Sequence, residues 1–262
     1  MNNVLKRICN IYQRGFVYIF HQIIWRIKFY ILRFFRVKKV TTAYGVNCLS
    51  DFDDITFRFY FLASYGFFYS NFLKSYSSNF IFIDLGANKG LYSIIAAKNT
   101  NCEKVISFEP VLSTYNFLIK NCSLNNVSNK CDLYNLAISD ICEEKKIHFN
   151  KLHSGKTSLT FIKDNEQSNT INVRTVNKSI FDKLNSKRNK NYLLKVDVEG
   201  FEYIVLNEVF KCKFSNSITN IFYEVDERRT NPSDIEKLLL ENGFKNFKKC
   251  GVGNHYDIMA SR

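Results

Sequence analysis

The sequence predicts an α/β fold: a doubly wound, mostly parallel sheet of seven strands with an antiparallel edge, preceded by an N-terminal amphipathic helix. Three observations lead to this prediction. Apolar runs and helical patterns alternate from residue 80 onwards. The runs Phe80–Asp84 and Val105–Glu109 each end in an acidic residue, and a glycine-containing turn follows the first. The first 50 residues are basic and repeat apolar side chains at helical spacing.

Length and charge divide the chain into a leader and one larger domain. The 262 residues, 46% of them hydrophobic, suffice for one α/β domain with its own core, predicted over residues 46–262 after a helix at 1–45. Nine basic residues and no acidic residue fall within the first 50, so this segment contributes +9 to the formal net charge of +13. The remaining charges nearly balance, which disfavours a nucleic-acid groove on the domain.

Eight cysteines are present, and none of them forms a C-x-x-C motif. A zinc ribbon or a thioredoxin-like site is therefore disfavoured. Reduced thiols in a cytosolic protein are the expectation.

Residues 3–36 place apolar side chains on one broad face of a predicted helix, with most basic side chains opposite. The longest uncharged stretch has eleven residues, whereas a membrane-spanning helix needs about 20. Two interpretations stay open: residues 1–40 lie on an anionic membrane surface, or the helix packs on the domain core or a sister subunit. The charge favours the membrane, since each basic residue adds about 1 kcal/mol near an anionic leaflet.

The other elements follow from apolar periodicity and turn residues. Residues 137–140 are read as the exit loop of the third parallel strand, and Ser233 as the cap of the last helix. The predicted strands are Ile55–Leu62, Phe80–Asp84, Val105–Glu109, Cys131–Tyr134, Tyr192–Val196 and Ile218–Val225, with an inserted hairpin of Glu144–Phe149 and Ile171–Thr175 and a final antiparallel pair of Phe244–Cys250 and Tyr256–Ala260. The predicted helices are Phe67–Tyr76, Gly90–Lys98, Ser113–Asn125, Glu202–Val209 and Ser233–Asn242, with a helical turn at Phe181–Leu184.

The turn after the first parallel strand indicates which cofactor is bound. A dinucleotide fold uses G-x-G-x-x-G to hold a pyrophosphate on a helix N-terminus, whereas the spacing here is Gly86-x-x-x-Gly90. Asp84 would repel a pyrophosphate but suits the cationic ammonium of S-adenosylmethionine (SAM). Glu109, at the end of the next strand, can accept hydrogen bonds from both ribose hydroxyls. The pair therefore favours SAM over NAD.

A second motif, residues 193–202, alternates apolar and charged residues across the end of a strand. Lys195, Asp197 and Glu199 consequently start on one side of the backbone, next to the predicted site of the cofactor's methyl group. Ionisable groups at the end of a buried strand are costly unless they pair with each other or with a ligand. A purely structural ion pair of Lys195 with Asp197 or Glu199 stays the alternative.

These motifs together resemble the FkbM family of SAM-dependent methyltransferases, over roughly residues 60–260. The resemblance implies a class I, Rossmann-like methyltransferase fold and transfer of a methyl group to a hydroxyl of a sugar or secondary metabolite. The runs that carry it are residues 83–90, Phe108-Glu109-Pro110, Asn121, residues 137–140 and residues 195–202. By this resemblance, Asp84, Gly86, Asn88, Gly90 and Ala137 line the SAM site, Glu109 holds the ribose, and Lys195, Asp197 and Glu199 face the reaction centre.

Methyl transfer to a hydroxyl also needs a group that takes the hydroxyl proton. Asp197 or Glu199 is the candidate base, tuned by Lys195, with His148 and His153 as rivals. Residues 153–158, rich in hydroxyl and amide donors, are a candidate substrate loop. Glu224 closes the fifth strand and either faces the substrate or is solvated. Together with Asp197 and Glu199, Glu224 offers carboxylate oxygens of the kind that bind divalent metal ions. The spacing of the three residues is not diagnostic of a metal site, and no metal is predicted.

The acceptor is expected to be a hydroxyl of a surface glycan or lipid-linked saccharide, with the protein cytoplasmic and peripheral on the inner face of the membrane. A nucleic-acid methyltransferase is disfavoured because the chain has neither Pro-Pro nor Pro-Cys. A small-metabolite acceptor, a non-catalytic membrane-associated scaffold and an NAD-dependent oxidoreductase stay open as less favoured functions. A homo-oligomer is compatible with the sequence as well.

Overall fold

The computed structural model describes residues 20–156, 169–183 and 190–262. Its first elements are helix α1 (residues 20–34), strands β1 (Lys39–Thr41) and β2 (Asn47–Leu49), helices α2 (Ile55–Leu62) and α3 (Phe68–Ser75), strand β3 (Phe80–Leu85), helix α4 (Leu91–Lys98), strand β4 (Cys102–Phe108), helix α5 (Leu112–Leu124) and strand β5 (Cys131–Tyr134). Strands β6 (Ala137–Ile138), β7 (Glu144–Phe149) and β8 (Asn169–Val176), helix α6 (Ser179–Lys183), strand β9 (Asn191–Val196), helix α7 (Glu202–Phe210), strand β10 (Ile218–Asp226), helix α8 (Pro232–Glu241) and strands β11 (Asn246–Cys250) and β12 (His255–Ser261) follow.

The central sheet has seven strands in the order β11-β12-β10-β9-β3-β4-β5. The pairs from β10 to β5 are parallel, and β12 runs antiparallel to both β10 and β11. The predicted doubly wound sheet with an antiparallel edge is therefore confirmed. Because β9 pairs directly with β3, the two sequence motifs end at the same edge of the sheet.

Both faces of the sheet are covered, which explains the continuous apolar sequence of its central strands. In β3, Phe80 and Phe82 join one core with α4 and α5, while Ile83 and Leu85 join the core on the opposite face with α7 and α8. All six residues of β3 are buried, including Asp84. An acid inside such a strand needs a partner, and this partner is part of the site described below.

The prediction of a strand at Ile55–Leu62 is wrong, because this segment is helix α2. Its β-branched and aromatic residues favour a strand. The carboxylate of Asp54, however, accepts hydrogen bonds from the amides of Thr56 and Phe57 and so caps a helix. The buried residues Phe57, Tyr60 and Phe61 then fall on one helical face.

Two smaller corrections concern residues 137–140 and the cap of α8. Ala137 and Ile138 form the short strand β6, which pairs in parallel with β8 of the inserted antiparallel hairpin. The hairpin itself is as predicted. Helix α8 is capped by Asn231, whose side chain accepts from the amide of Ser233. Pro232 occupies the first turn, where its missing amide hydrogen costs nothing.

Helix α1 docks on the domain through one face. Phe29 is only 2% exposed and contacts the rings of Phe52, Phe57 and Phe61, while Trp25 packs edge-on against Phe61. The opposite side, termed here the outer face of α1, exposes apolar side chains at helical spacing: Phe20, Ile23, Ile24, Ile27, Tyr30, Ile31 and Phe34. The sequence left two interpretations of this helix open: packing on the core and lying on a membrane. In the structure, α1 packs on the core through one face and keeps an exposed apolar face on the other.

Within the described ranges, no helix is both long and apolar enough to span a membrane. The predicted helix over residues 3–36 is confirmed for residues 20–34, and residues 1–19 lie outside the described part of the chain. The seven cysteines of the described ranges are free thiols.

Candidate active site

The turn between β3 and α4 packs directly against the end of β9. Gly86 has a φ of +79°, and a Cβ atom added to it would lie 1.8 Å from the main-chain oxygen of Asp197. The amide of Asp197 in turn donates to the carbonyl of Leu85 at 3.1 Å. Only glycine can occupy position 86, because two backbones meet there without room for a side chain.

Glu109 follows β4 and lies beside this turn. Its two carboxylate oxygens accept hydrogen bonds from the amides of Asn88 and Val111, both at 2.9 Å. Burial raises the pKa of Glu109 to about 7, although these two hydrogen bonds lower it. The carboxyl group is thus held rigidly, with lone pairs left over for a ligand.

A cavity of about 550 Å³, termed here the cofactor cavity, opens at this edge of the sheet. Asn88 and Glu109 contribute its polar groups at one end, and apolar side chains form the adjoining wall. The predicted residues that line it are Gly86, Asn88, Glu109, Ala137, Asp197 and Glu199, and the apolar wall comprises Phe108, Leu136, Ile138 and Ile147.

Asp84, Gly90 and Lys195 do not line this cavity. Gly90, with a φ of +90°, is the N-cap residue that precedes α4, and an added Cβ would meet Leu118 at 2.5 Å. Asp84 is fully buried and accepts a hydrogen bond from Ser93 at 2.6 Å. A direct contact between Asp84 and the cofactor's ammonium, as the sequence predicts, would require this carboxylate to leave the interior.

Lys195 links the two motifs. Its ammonium lies 3.3 Å from both Asp84 and Asp197 and donates to the carbonyl of Gly86 at 3.0 Å. Burial alone would lower the pKa of Lys195, but the two carboxylates outweigh it and raise the pKa above its usual value. Lys195 is therefore a fixed positive charge that orients Asp197 and the glycine turn.

Three carboxylates converge beyond Lys195. One oxygen each of Asp197, Glu199 and Glu224 lies within 4.8 Å of the others, a grouping that could hold a metal ion. Each carboxylate also has a cationic partner in the protein, which offsets the mutual repulsion. The pairs are Asp197 with Lys195 at 3.3 Å, Glu199 with Arg229 at 2.5 Å and Glu224 with His255 at 2.6 Å.

Burial and the close approach of these ionisable groups shift their pKa values. Burial and then the neighbouring Glu224 and Asp197 raise the pKa of Glu199 to about 8. Burial followed by Glu224 likewise raises the pKa of Asp257 to about 8. The hydrogen bond with Glu224 raises the pKa of His255 to about 9. Acids that exchange protons near neutrality are suited to general acid–base chemistry.

A second cavity of about 540 Å³, termed here the acceptor cavity, lies on the other side of these carboxylates. Among the residues that the structure describes, five line both this cavity and the cofactor cavity, so the two spaces meet at a common wall. The shared residues are Tyr60, Tyr65, Asp197, Glu224 and His255. The remaining lining of the acceptor cavity includes Phe68, Tyr69, Tyr92, Lys195, Phe222, Lys248, Lys249 and Tyr256.

The predicted substrate loop is described as far as residue 156. His153, Ser154 and Gly155 line the cofactor cavity. Ser154 is held by Asp54, which accepts from its amide at 3.0 Å and from its hydroxyl at 2.8 Å. Residues 157 and 158 and the side chain of His148 lie outside the described part of the chain.

A buried lysine ties this loop to the glycine turn. Lys89 is 2% exposed, and its ammonium forms ion pairs with Asp51, at 2.5 Å, and with Asp54. The lysine and Ser154 together lower the pKa of Asp54, although burial by itself raises it. Residues that precede the sheet thus brace the entrance of the cofactor cavity.

Sequence reasoning missed Arg229 and His255 as members of the site. His255 begins the last strand and pairs in register with Asp226 across the antiparallel edge, which brings its ring to Glu224. The sequence predicted an antiparallel pair only between the last strand and Phe244–Cys250. It therefore gave no signal that the start of the last strand lies beside the end of β10, where the acids lie.

The strand order and the glycine turn joined to an acid on the next strand define a class I methyltransferase fold of the Rossmann-like type. The family model described as "Methyltransferase FkbM domain" matches residues 84–245. The chain therefore belongs to the FkbM family and is a SAM-dependent methyltransferase, as predicted.

A solved structure agrees with this fold. The human methyltransferase 10 domain containing protein superposes with a TM-score of 0.50 at 10% identity, over 92% of this chain and 96% of that chain. Two further structures give lower scores. TrmK of M. capricolum, in complex with S-adenosylhomocysteine, gives 0.44 at 12% identity over 74% of this chain and 66% of that chain, and the ribosomal protein L11 methylase of Lactobacillus delbrueckii subsp. bulgaricus gives 0.40 at 13% identity over 72% of each chain. No curated protein sequence matches the chain.

Proposed function

We propose that the protein transfers the methyl group of SAM to a sugar hydroxyl in a surface glycan or a lipid-linked saccharide. The observation that carries this proposal is the meeting of two cavities of similar volume at a wall of ionisable groups. One cavity suits the cofactor and the other suits an acceptor. A hydroxyl in the acceptor cavity would approach the methyl group beside Asp197 and Glu199.

The cofactor cavity fits SAM by the chemistry of its donor set. Glu109 offers carboxylate oxygens for two ribose hydroxyls, and Asn88 adds an amide beside it. Phe108, Leu136 and Ile138 provide apolar surface for an adenine ring. When bound, SAM supplies an electrophilic methyl group, so the protein needs only to position the acceptor and remove its proton.

The acceptor cavity is suited to a saccharide. Its wall combines the exposed aromatic side chains Tyr65 and Phe68 with carboxylates. Aromatic faces pack against the C–H surface of a sugar ring, and carboxylates accept from its hydroxyls. Both contacts favour a polyhydroxylated acceptor over a wholly apolar one.

The ionisable residues in and beside the common wall have separable tasks. Asp197 or Glu199 would take the proton of the acceptor hydroxyl, while SAM would supply the methyl group to its oxygen and leave as S-adenosylhomocysteine. Lys195 fixes Asp197, and Arg229 fixes Glu199. Holding the two reactants in line can supply roughly 7–11 kcal/mol of the barrier.

The first test is calorimetric titration of S-adenosylhomocysteine into the full chain and its Glu109→Ala variant. We expect the wild type to bind and the variant to lose at least about tenfold in affinity, because hydrogen bonds to a charged group are worth about 1.5–3 kcal/mol. Glu103→Ala is the matched control, since Glu103 lies on β4, the strand that leads to Glu109, but pairs with Lys190 away from the cavity. A folded wild type that does not bind would refute the proposal; a binding one would justify a screen of lipid-linked acceptors.

Association with the inner face of the membrane is the second part of the proposal. The outer face of α1 supports it, since it presents seven exposed apolar side chains, among them Ile27 at 55% and Phe34 at 81% exposure. Exposed basic residues surround this face and complement an anionic leaflet. They are Arg26, Lys28, Arg36, Lys38 and Lys39.

Co-sedimentation with phosphatidylglycerol-containing vesicles tests the membrane association. The double variant Ile27→Ser/Phe34→Ser should remain in the supernatant, because each side chain loses its apolar contribution to membrane binding. The control Leu112→Ser/Val252→Ser removes comparably exposed apolar residues elsewhere on the surface and should pellet like the wild type. Equal pelleting of the two double variants would refute the membrane role of this face.

A further inference from the structure

A third cavity lies between α1 and α2, with a volume of about 240 Å³. It is termed here the arginine cleft. Arg26 projects into it from α1 and Arg58 from α2. Its other lining residues are Phe29, Tyr30, Phe59, Leu62 and Ser64. The cleft thus offers two guanidinium groups above a mostly apolar floor.

Within the described residues, neither Arg26 nor Arg58 forms an ion pair or a side-chain hydrogen bond. The nearby Arg33, by contrast, is neutralised by Asp53 at 2.8 Å. A guanidinium is planar and presents its donors in a fork that matches the oxygens of a phosphate group. Two unneutralised guanidiniums in one cleft therefore indicate a site for an anion of this geometry.

The cleft shares lining residues with the outer face of α1 and with both cavities of the active site. Tyr30 belongs to the outer face and also lines the cleft. Phe59 lines the cleft and the cofactor cavity, and Ser64 lines the cleft and the acceptor cavity. A group bound by the arginines would lie between a membrane under α1 and the place where the acceptor hydroxyl reacts.

We propose that Arg26 and Arg58 bind the phosphate or diphosphate group that joins the acceptor saccharide to its membrane lipid. The inference rests on the proposed function and names the substrate class more closely: a saccharide linked through phosphate to a lipid. Its lipid would enter the membrane along the outer face of α1, and its sugar would reach the acceptor cavity. The headgroup of a phospholipid has the same phosphate chemistry, so the test separates the two sources.

The experiment uses the full chain loaded with S-adenosylhomocysteine. One probe is farnesyl diphosphate, a soluble lipid diphosphate without a sugar, and the other is a phosphatidylcholine vesicle containing phosphatidylglycerol. Binding of farnesyl diphosphate is measured by calorimetric titration, and binding of the vesicles by co-sedimentation. The variant Arg26→Gln/Arg58→Gln is compared with Lys120→Gln/Lys237→Gln, which removes the same charge from exposed positions on α5 and α8, outside the cleft and away from α1.

We expect the arginine variant to lose at least about tenfold in affinity for farnesyl diphosphate, while the lysine variant binds it nearly as the wild type does. A loss confined to phosphatidylglycerol vesicles would keep the phosphate site but assign it to phospholipid headgroups, which overturns the assignment to the acceptor. The inference is also overturned if the wild type binds neither probe or if the two variants behave alike with both. S-adenosylhomocysteine binding, measured in the same samples, shows separately whether the methyltransferase proposal holds.

Discussion

The imidazole Nε2 of His255 lies 2.6 Å from a carboxylate oxygen of Glu224, in the wall that separates the two cavities. The pair joins β10 to the antiparallel edge strand β12. It therefore links the last parallel strand of the sheet to its antiparallel edge. It also places an ion pair in the wall between the cofactor cavity and the acceptor cavity.

This pair should make stability depend on pH. The hydrogen bond to Glu224 raises the pKa of His255 to about 9, from about 6.5 in an unfolded chain. The folded state therefore holds this proton more tightly, so the stabilisation is complete below about pH 6.5 and is lost as the pH rises through about 9. Urea unfolding across this range should show the loss in the wild type and a flatter profile in His255→Gln. Glu224→Gln should flatten it too, and an unchanged slope in both variants would contradict the assignment.

Replacing Gly86 should damage the protein more than replacing a glycine of the same backbone conformation. Gly86 and Gly45 both have a φ of +79°, but an added Cβ clashes with Asp197 only at position 86. Gly45→Ala should cost about 1–2 kcal/mol in free energy of unfolding through its left-handed backbone alone. Gly86→Ala should cost at least about 1–3 kcal/mol more and weaken S-adenosylhomocysteine binding. Chemical unfolding measures both, and equal costs would rule out the contact.

If Glu199 is the base, it must be ionised to act. Its pKa of about 8 predicts that kcat rises as the pH passes through this value. Glu199→Gln should lower kcat by about 10²–10⁴-fold and abolish this rise, with little change in the KM for SAM. Persistence of the rise in Glu199→Gln and its loss in Asp197→Asn would make Asp197 the base instead.

The two faces of α1 should differ in their effect on folding. Phe29→Ala removes a ring packed against three others in the core and should cost about 3–5 kcal/mol in free energy of unfolding. Phe34→Ala changes an 81% exposed side chain and should alter stability by less than about 0.5 kcal/mol. Thermal or urea unfolding compares them, and similar costs would mean that α1 does not dock as described.

The parallel core was predictable because its signals are local. Each strand of the sheet is an apolar run with a turn residue after it, and the acids Asp84 and Glu109 mark where two of these runs end. The prediction for Ile55–Leu62 was wrong because the intrinsic preference of its residues favours a strand, whereas the cap before it favours a helix. Asp54 satisfies the first amides of α2, and packing of Phe57 then decides the structure.

The sequence predicted only those parts of the site in which the residues belong to one segment of the chain. Lys195, Asp197 and Glu199 belong to one strand end, so the pattern alone brings them together. The pairing of His255 with Glu224 and of Arg229 with Glu199 joins separate segments and depends on sheet register. The sequence pattern also did not predict where the side chain of Asp84 lies, because an acid at the end of a strand can face a ligand or, as here, a buried lysine.

The two ion pairs of Lys89 decide which fragment of the protein can fold alone. The family model begins at residue 84, so a fragment cut to residues 84–245 would keep the lysine and discard Asp51 and Asp54. Loss of the partners of a buried charge costs about 3–5 kcal/mol, a large part of the stability of a typical domain. The smallest independently folding catalytic unit therefore begins before Asp51, although the match to the family model begins more than thirty residues later.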